Sequence, residues 1–167
     1  LRIELAGAAE EHPPDYDSQA SGATEVGVKI VRGQFRTLRV CLQRRIGKKI
    51  PLGHPVLAWL LEHSTVLLNA RVRGSDGLTP WARARGRPLN LRLVGFGESV
   101  LYKLHTKGPE AIDRGNSMPN FALGVFLGYN RTSNTYIVAN SEGIVASRAL
   151  NRRPIQNRWD HDKVSAV

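Results

Sequence analysis

Apolar residues recur at three- and four-residue intervals through Val28, Val31, Phe35, Leu38, Leu42 and Ile46. That spacing predicts an amphipathic helix from about Thr24, with Gly47 placed to end it. A second helix is predicted from Pro55, a favoured first-turn residue, through Val56, Leu57, Trp59, Leu60, Leu61, Val66, Leu67, Leu68 and Val72 to Gly74. Its apolar residues cover most of the circumference, which suits a core helix. Asp76-Gly77 reads as a turn, and Thr79-Pro80-Trp81 as a short helix capped by Thr79.

The pattern changes after Pro88. Strand-like runs lie between Leu91 and Leu104, notably Val94-Gly95-Phe96-Gly97 and Val100-Leu101-Tyr102. Gly124–Tyr129, Thr135–Ala139 and Ile144–Leu150 read as three short strands separated by Asn/Ser/Gly-rich turns, a small antiparallel meander. Residues 1–22, with Pro13-Pro14, and residues 105–120 read as irregular segments. Beyond Arg152 the chain is polar and is expected to be loose. The expected organisation is α/β (α+β) in three parts: a helical part over 1–90, a β module over 91–154 and a flexible tail over 155–167.

Charge adds a partner class to this picture. The 167 residues carry a net charge of +10, which favours an anionic partner, nucleic acid first and anionic membrane second. The imbalance is local. Residues 1–25 set Arg2 against six acids, whereas residues 26–104 set fifteen bases against Glu62, Asp76 and Glu98. The longest apolar stretch, Val56–Leu68, is interrupted by Glu62 and His63 and is too short to span a bilayer. Cys41 is the single cysteine, so no disulfide framework forms and a reducing compartment, cytosol or nucleus, fits best. The chain opens at Leu1 without an initiator Met or a signal-peptide pattern, which points to a fragment.

Candidate chemistry concentrates on the first helix. Glu25 is followed by Lys29, Arg32, Arg36 and Arg39 at helical spacing, on the face opposite the apolar stripe. Between residues 28 and 49 there are eight bases and no acid. Two readings are open. The face is either solvated, with Glu25 favourable near a helix N-terminus, or it lies along a phosphate backbone with Glu25 as a metal ligand. Arg83, Arg85 and Arg87 form a second basic cluster, and Arg152, Arg153 and Arg158 a third, each suited either to phosphate contact or to a solvated loop. The five histidines are scattered without cysteine partners, so a zinc site is not expected, and His63 is read as packing against or capping the second helix. Trp81, Phe96, Tyr129 and Tyr136 suit core packing better than base stacking. Cys41 is read as a small buried hydrophobe.

Ser21-Gly22-Ala23-Thr24-Glu25, ahead of a basic helix, resembles the Asn-Gly-x-x-Glu segment of retroviral and copia-type integrases. Leu67-Leu68-Asn69, Thr79-Pro80-Trp81 and Arg92-Leu93-Val94-Gly95-Phe96-Gly97 resemble that family's helix, Thr-Pro-aromatic turn and hydrophobic-Phe-Gly strand. Gly124-Val125-Phe126-Leu127-Gly128-Tyr129, then Tyr136-Ile137-Val138 and Ser147-Arg148, resemble the small β-domain that follows the copia-type catalytic core. The ordered set covers about residues 20–154. It implies the C-terminal helices of a ribonuclease-H-like core followed by a β-barrel-like module.

The resemblance also implies an activity for a full-length protein. Two Mg²⁺ or Mn²⁺ ions, roughly 3.5–4 Å apart, would be held by an Asp, Asp, Glu triad during polynucleotidyl transfer to DNA. Glu25 would be one of the three acids. The other two would lie before Leu1, since Asp15 and Asp17 stand too near Glu25 and read as loop acids. The chain alone is therefore expected to be inactive. Ser21 stands where the family has Asn, and Val26 where it often has Arg. The expected partners are DNA and other integrase subunits, with no membrane and no small-molecule substrate. The rival expectations are a non-catalytic basic nucleic-acid-binding module, such as a domesticated relic, and a structural fragment with no present function.

Overall fold

Gly47 ends the first helix as its sequence position predicts, with φ +71°. The computed structural model describes residues 22–90, 92–105 and 119–167. Ser21, Asp15, Asp17 and most of the 105–120 segment lie outside the described residues. Helix α1 spans Gly22–Ile46. Only the second half of its apolar stripe is used: Leu42 and Ile46 are buried, and Phe35 and Leu38 pack partly against the same cluster. Val28 is 43% exposed, beside exposed Val26 and Ile30, so among the described residues the first turns of α1 extend past their packing partners.

Helix α2, Val56–Arg71, buries Val56, Leu57, Leu60, His63, Ser64, Val66 and Ala70, and packs against both α1 and the sheet. Pro55 is its N-cap rather than its first-turn residue. The helix stops before the predicted Gly74, because Val72 turns to an extended conformation (φ −77°, ψ 123°). The Asp76-Gly77 turn forms as expected, with Asp76 Oδ1 accepting from the Leu78 N–H at 3.1 Å. Helix α3, Pro80–Arg85, begins where predicted: the Thr79 hydroxyl oxygen accepts from the Ala82 N–H at 3.1 Å.

The β strands are β1 (Ser99–Lys103), β2 (Phe121–Tyr129), β3 (Tyr136–Asn140), β4 (Gly143–Ser147) and β5 (Leu150–Arg152). They form one antiparallel sheet in the order β4-β3-β2-β1-β5, so the fold is α+β. The expected meander is β2-β3-β4, and two features differ from expectation. The Leu91–Leu104 run yields only β1. Gly95–Glu98 instead makes a tight turn, closed by the Glu98 N–H donating to the Gly95 carbonyl at 3.0 Å, in which Gly97 takes φ +78° and donates to the Phe126 carbonyl at 2.8 Å. Only glycine adopts that φ at little cost. The predicted strand Ile144–Leu150 is divided at Arg148-Ala149 into β4 and β5, which sit at opposite edges of the sheet.

That division sets the shape of the sheet. Two residues separate Ser147 from Leu150, so their Cα atoms are at most about 11 Å apart. Four strand spacings in a flat sheet would separate the edges by roughly 19 Å. The sheet must therefore curl strongly to bring its edges together. No β4–β5 pairing closes it, so it is an open sheet and not a closed barrel.

Two apolar clusters follow. One joins Leu42, Ile46, Val56, Leu57 and Leu60 to Phe96, Val125, Leu127 and Val164. The other joins Val66 and Ala70 to Val100, Tyr102, Phe126, Tyr129, Tyr136 and Val138. Both clusters cross residue 90, so packing does not separate the helices from the β module as the predicted division has it. The predicted loose tail is also corrected. Helix α4 (His161–Ser165) is capped by Asp160, whose carboxylate accepts from the Asp162 and Lys163 N–H groups. It drives Val164 into the first cluster at 1% exposure. No helix among the described residues is long and apolar enough to cross a membrane.

Gly124 shows how closely the strands are packed. A Cβ there would collide with Val138 Cγ1 and lie 2.8 Å from the Ala139 carbonyl oxygen and 3.1 Å from the Tyr102 ring. Two of these neighbours are fixed by the β2–β3 ladder and the core. Gly124→Ala is therefore expected to destabilise the fold by about 1–3 kcal/mol, read as a lower urea midpoint at unchanged m-value. An unchanged midpoint would show that the sheet gives way there.

Candidate nucleic-acid interface

The α1 face carries an exposed row of cations, but one member is used elsewhere. Glu25 and Lys29 approach at 4.0 Å with their side chains 61% and 75% exposed, a pairing of little energetic weight. Arg32 and Arg36 are exposed and carry no hydrogen bond or ion pair among the described residues. Arg39 turns inward instead. Its Nη2 donates to the Ile50 carbonyl at 2.8 Å, and its Nε is buried without a partner. Arg39 thus braces the segment between α1 and α2, and the predicted row of four is a row of three plus a brace.

At the end of α1 and just beyond it the bases are divided again. The Arg45 guanidinium lies 4.5 Å from the centre of the Trp159 ring, and Lys48 Nζ is 3.4 Å from His161 Nδ1. Arg44 and Lys49 remain exposed.

The second basic cluster is also partly consumed. Arg83 grips Asp76 with two hydrogen bonds, of 2.8 and 2.6 Å, closing the turn before α3. The Arg83 contact, with help from the Leu78 N–H, holds the Asp76 carboxyl down at about 2. Arg83 thus clamps the turn before α3. The Arg85 guanidinium lies 5.5 Å from the Trp81 ring centre, and Arg87 is exposed.

The third cluster is structural. Glu98 is fully buried. Its Oε1 accepts from Arg152 Nε at 2.7 Å, and its Oε2 accepts from Arg152 Nη2 at 2.8 Å and from the Gly95 N–H at 3.2 Å. Arg158 Nε stands 3.3 Å from the same carboxylate and donates to the Arg153 carbonyl at 2.7 Å. Neither phosphate contact nor a solvated loop describes Arg152 and Arg158. A signal for this was present: Glu98 is a lone acid within an apolar run, a setting that calls for a buried partner.

The expected metal ligand stands alone. Among the described residues no group of three or more His, Cys, Asp or Glu side chains could hold a metal ion, and the carboxylate of Glu25 faces Lys29. His63 does not cap the second helix but sits on it, buried among the rings of Phe96, Phe126 and Tyr129, while Phe96, Tyr129 and Tyr136 are core residues as read from the sequence. Cys41 is half-buried rather than buried. Comparison with known proteins finds no matching family model, no matching curated protein and no matching solved structure.

Proposed function

We propose that this chain binds DNA along the exposed face of α1, as the DNA-holding part of a copia-type integrase. The observation that carries the reading is the row Lys29, Arg32 and Arg36, exposed on one helical face and, among the described residues, opposed only by the long Glu25 contact. From Lys29 to Arg36 the helix rises about 10 Å. One DNA strand presents a phosphate about every 3.4 Å of helix axis, so a row of that length can reach successive phosphates of one strand. Such contacts neutralise the backbone and release counterions without reading sequence.

The ordered motifs from Gly22 to Arg148 support the integrase assignment, with α1–α3 as the C-terminal helices of a ribonuclease-H-like core and the sheet as the small β-domain. Among the described residues, a single exposed carboxylate beside a lysine does not fit a centre for Mg²⁺ or Mn²⁺. The chain acts by holding DNA, and catalysis would need acids that these residues do not supply.

Fluorescence anisotropy with a labelled DNA duplex over a salt series tests this. The triple variant Lys29→Ala/Arg32→Ala/Arg36→Ala is expected to reduce the slope of log K against log salt by about 2.7, at 0.9 per contact. Circular dichroism should be unchanged, because all three side chains are exposed. Glu25→Gln should leave affinity within about twofold, as for an exposed pair of little weight. An unchanged slope in the triple variant would sink the proposal.

A further inference from the structure

A second cationic site is built at the far end of the curled sheet. A groove of about 680 Å³ is lined by Lys103, His105, Ser133, Thr135, Ser147 and Arg148, with Leu104, Ala146 and Ala149 as its apolar part. That volume lies in the range of ligand-binding clefts. No carboxylate is among the described lining residues.

Backbone bonds fix its two cations together. The Lys103 N–H donates to the Ala149 carbonyl at 2.9 Å, and the Ser147 hydroxyl donates to the Lys103 carbonyl at 2.9 Å. Arg148 lies between those two anchors, so the link from β4 to β5 holds it against the end of β1. The Ser147 hydroxyl also reaches the Ala149 carbonyl at 2.9 Å, and Ser133 Oγ is 2.8 Å from Thr135 Oγ1. Ser147 and Thr135 are buried, at 3% and 7% exposure, so the floor of the groove is fixed and polar. Neither Lys103 nor Arg148 has a side-chain hydrogen bond or ion pair among the described residues. An anion in the groove would offset the repulsion between the two cations on its wall.

We propose that this groove is an anion site for a phosphate-bearing ligand of nucleotide size, held by Lys103 and Arg148. Arg148 offers a planar fork for two phosphate oxygens, and Lys103 offers a mobile point charge. The half-buried Leu104 and Ala149 give the rest of the ligand an apolar surface. The phosphate can come from a free nucleotide or from the end of a nucleic-acid strand. The site stands independently of the α1 row.

The test is titration of the ¹⁵N-labelled full chain at low salt with thymidine 5′-monophosphate, thymidine, and a short DNA strand with or without a 5′-phosphate. The expected result is amide shifts at Lys103–His105, Ser133–Thr135 and Ala146–Ala149 that require the phosphate. Arg148→Ala or Lys103→Ala should weaken binding about tenfold, with partial recovery in Arg148→Lys. Both side chains are exposed, so the variants should fold. Response to the monophosphate identifies a free nucleotide, and response only to the phosphorylated strand identifies a strand end. The Lys29→Ala/Arg32→Ala/Arg36→Ala variant should keep these shifts, which separates this site from the α1 reading. Equal shifts with thymidine, shifts only elsewhere, or unchanged affinity in both Arg148→Ala and Lys103→Ala would overturn it.

Discussion

Glu98→Gln is expected to lower the unfolding free energy by about 3 kcal/mol, one of the two largest effects anticipated for this chain. The carboxylate is fully buried and receives hydrogen bonds from Arg152 and the Gly95 N–H, with Arg158 alongside. The amide keeps the shape but replaces one acceptor oxygen with an NH₂ group that points at a guanidinium. It also removes the negative charge that faces two cations. The loss falls at the lower end of the range for breaking a buried ion pair, because the Arg152 and Arg158 side chains are 28% and 23% exposed and can recover some water. Urea denaturation should show the lower midpoint. The pair Glu98→Leu/Arg152→Met should be more stable than Glu98→Leu alone, since it leaves fewer unpaired charges. A loss under about 1 kcal/mol for Glu98→Gln would mean that the cluster is only a surface pairing.

The second large effect is a loss of stability in mild acid through His63. The ring is 3% exposed on α2, 5.4 Å from Phe96, 5.7 Å from Phe126 and 5.7 Å from Tyr129, and its Nδ1 is buried without a partner. Burial pushes its pKa from 6.5 down to about 4. The folded protein therefore keeps the ring neutral where the unfolded chain would protonate it. This contribution to stability is full above about pH 6.5, falls as the pH drops toward 4, and is flat below that. The lost stability amounts to about 3 kcal/mol at 1.36 kcal/mol per pKa unit. His63→Leu, close in volume, should remove it. Unfolding free energies at pH 7.5 and pH 4 should therefore fall by about 3 kcal/mol more in the wild type than in the variant. Equal pH dependence in the two proteins would show that water reaches the ring.

Features that depend on neighbours in sequence were legible. The three-and-four spacing marked α1, the continuous apolar run marked α2, and Thr79-Pro80 marked the start of α3. The meander strands followed from apolar runs bounded by Asn, Ser and Gly. The destinations of charged side chains were not legible, because they are set by residues far along the chain. Helical spacing puts Arg39 in line with Lys29, Arg32 and Arg36. It gives no sign that the segment at Ile50 folds back to offer a carbonyl. Arg152 meets a carboxylate 54 residues away, and Arg158 joins it because the Arg158 carbonyl accepts from the Ser99 N–H, next to Glu98. Likewise Lys103 and Arg148 share no local pattern, and only the divided strand Ile144–Leu150 brings them to one groove. The candidate site was thus readable as a face of α1, while its membership depended on tertiary contacts.

The two-residue link between β4 and β5 also bears on the order in which the chain assembles. The meander can form from neighbouring hairpins, each closing a short loop. The β1–β5 ladder is different, since Leu101 pairs with Asn151 across fifty residues of chain. That closure has a high entropic cost until β2, β3 and β4 are in place, because only then does the link deliver Leu150 beside Tyr102. Glu98, on the turn leading into β1, then meets Arg152 in the same event. The buried charge cluster is thus assembled late, as a latch on a sheet already built.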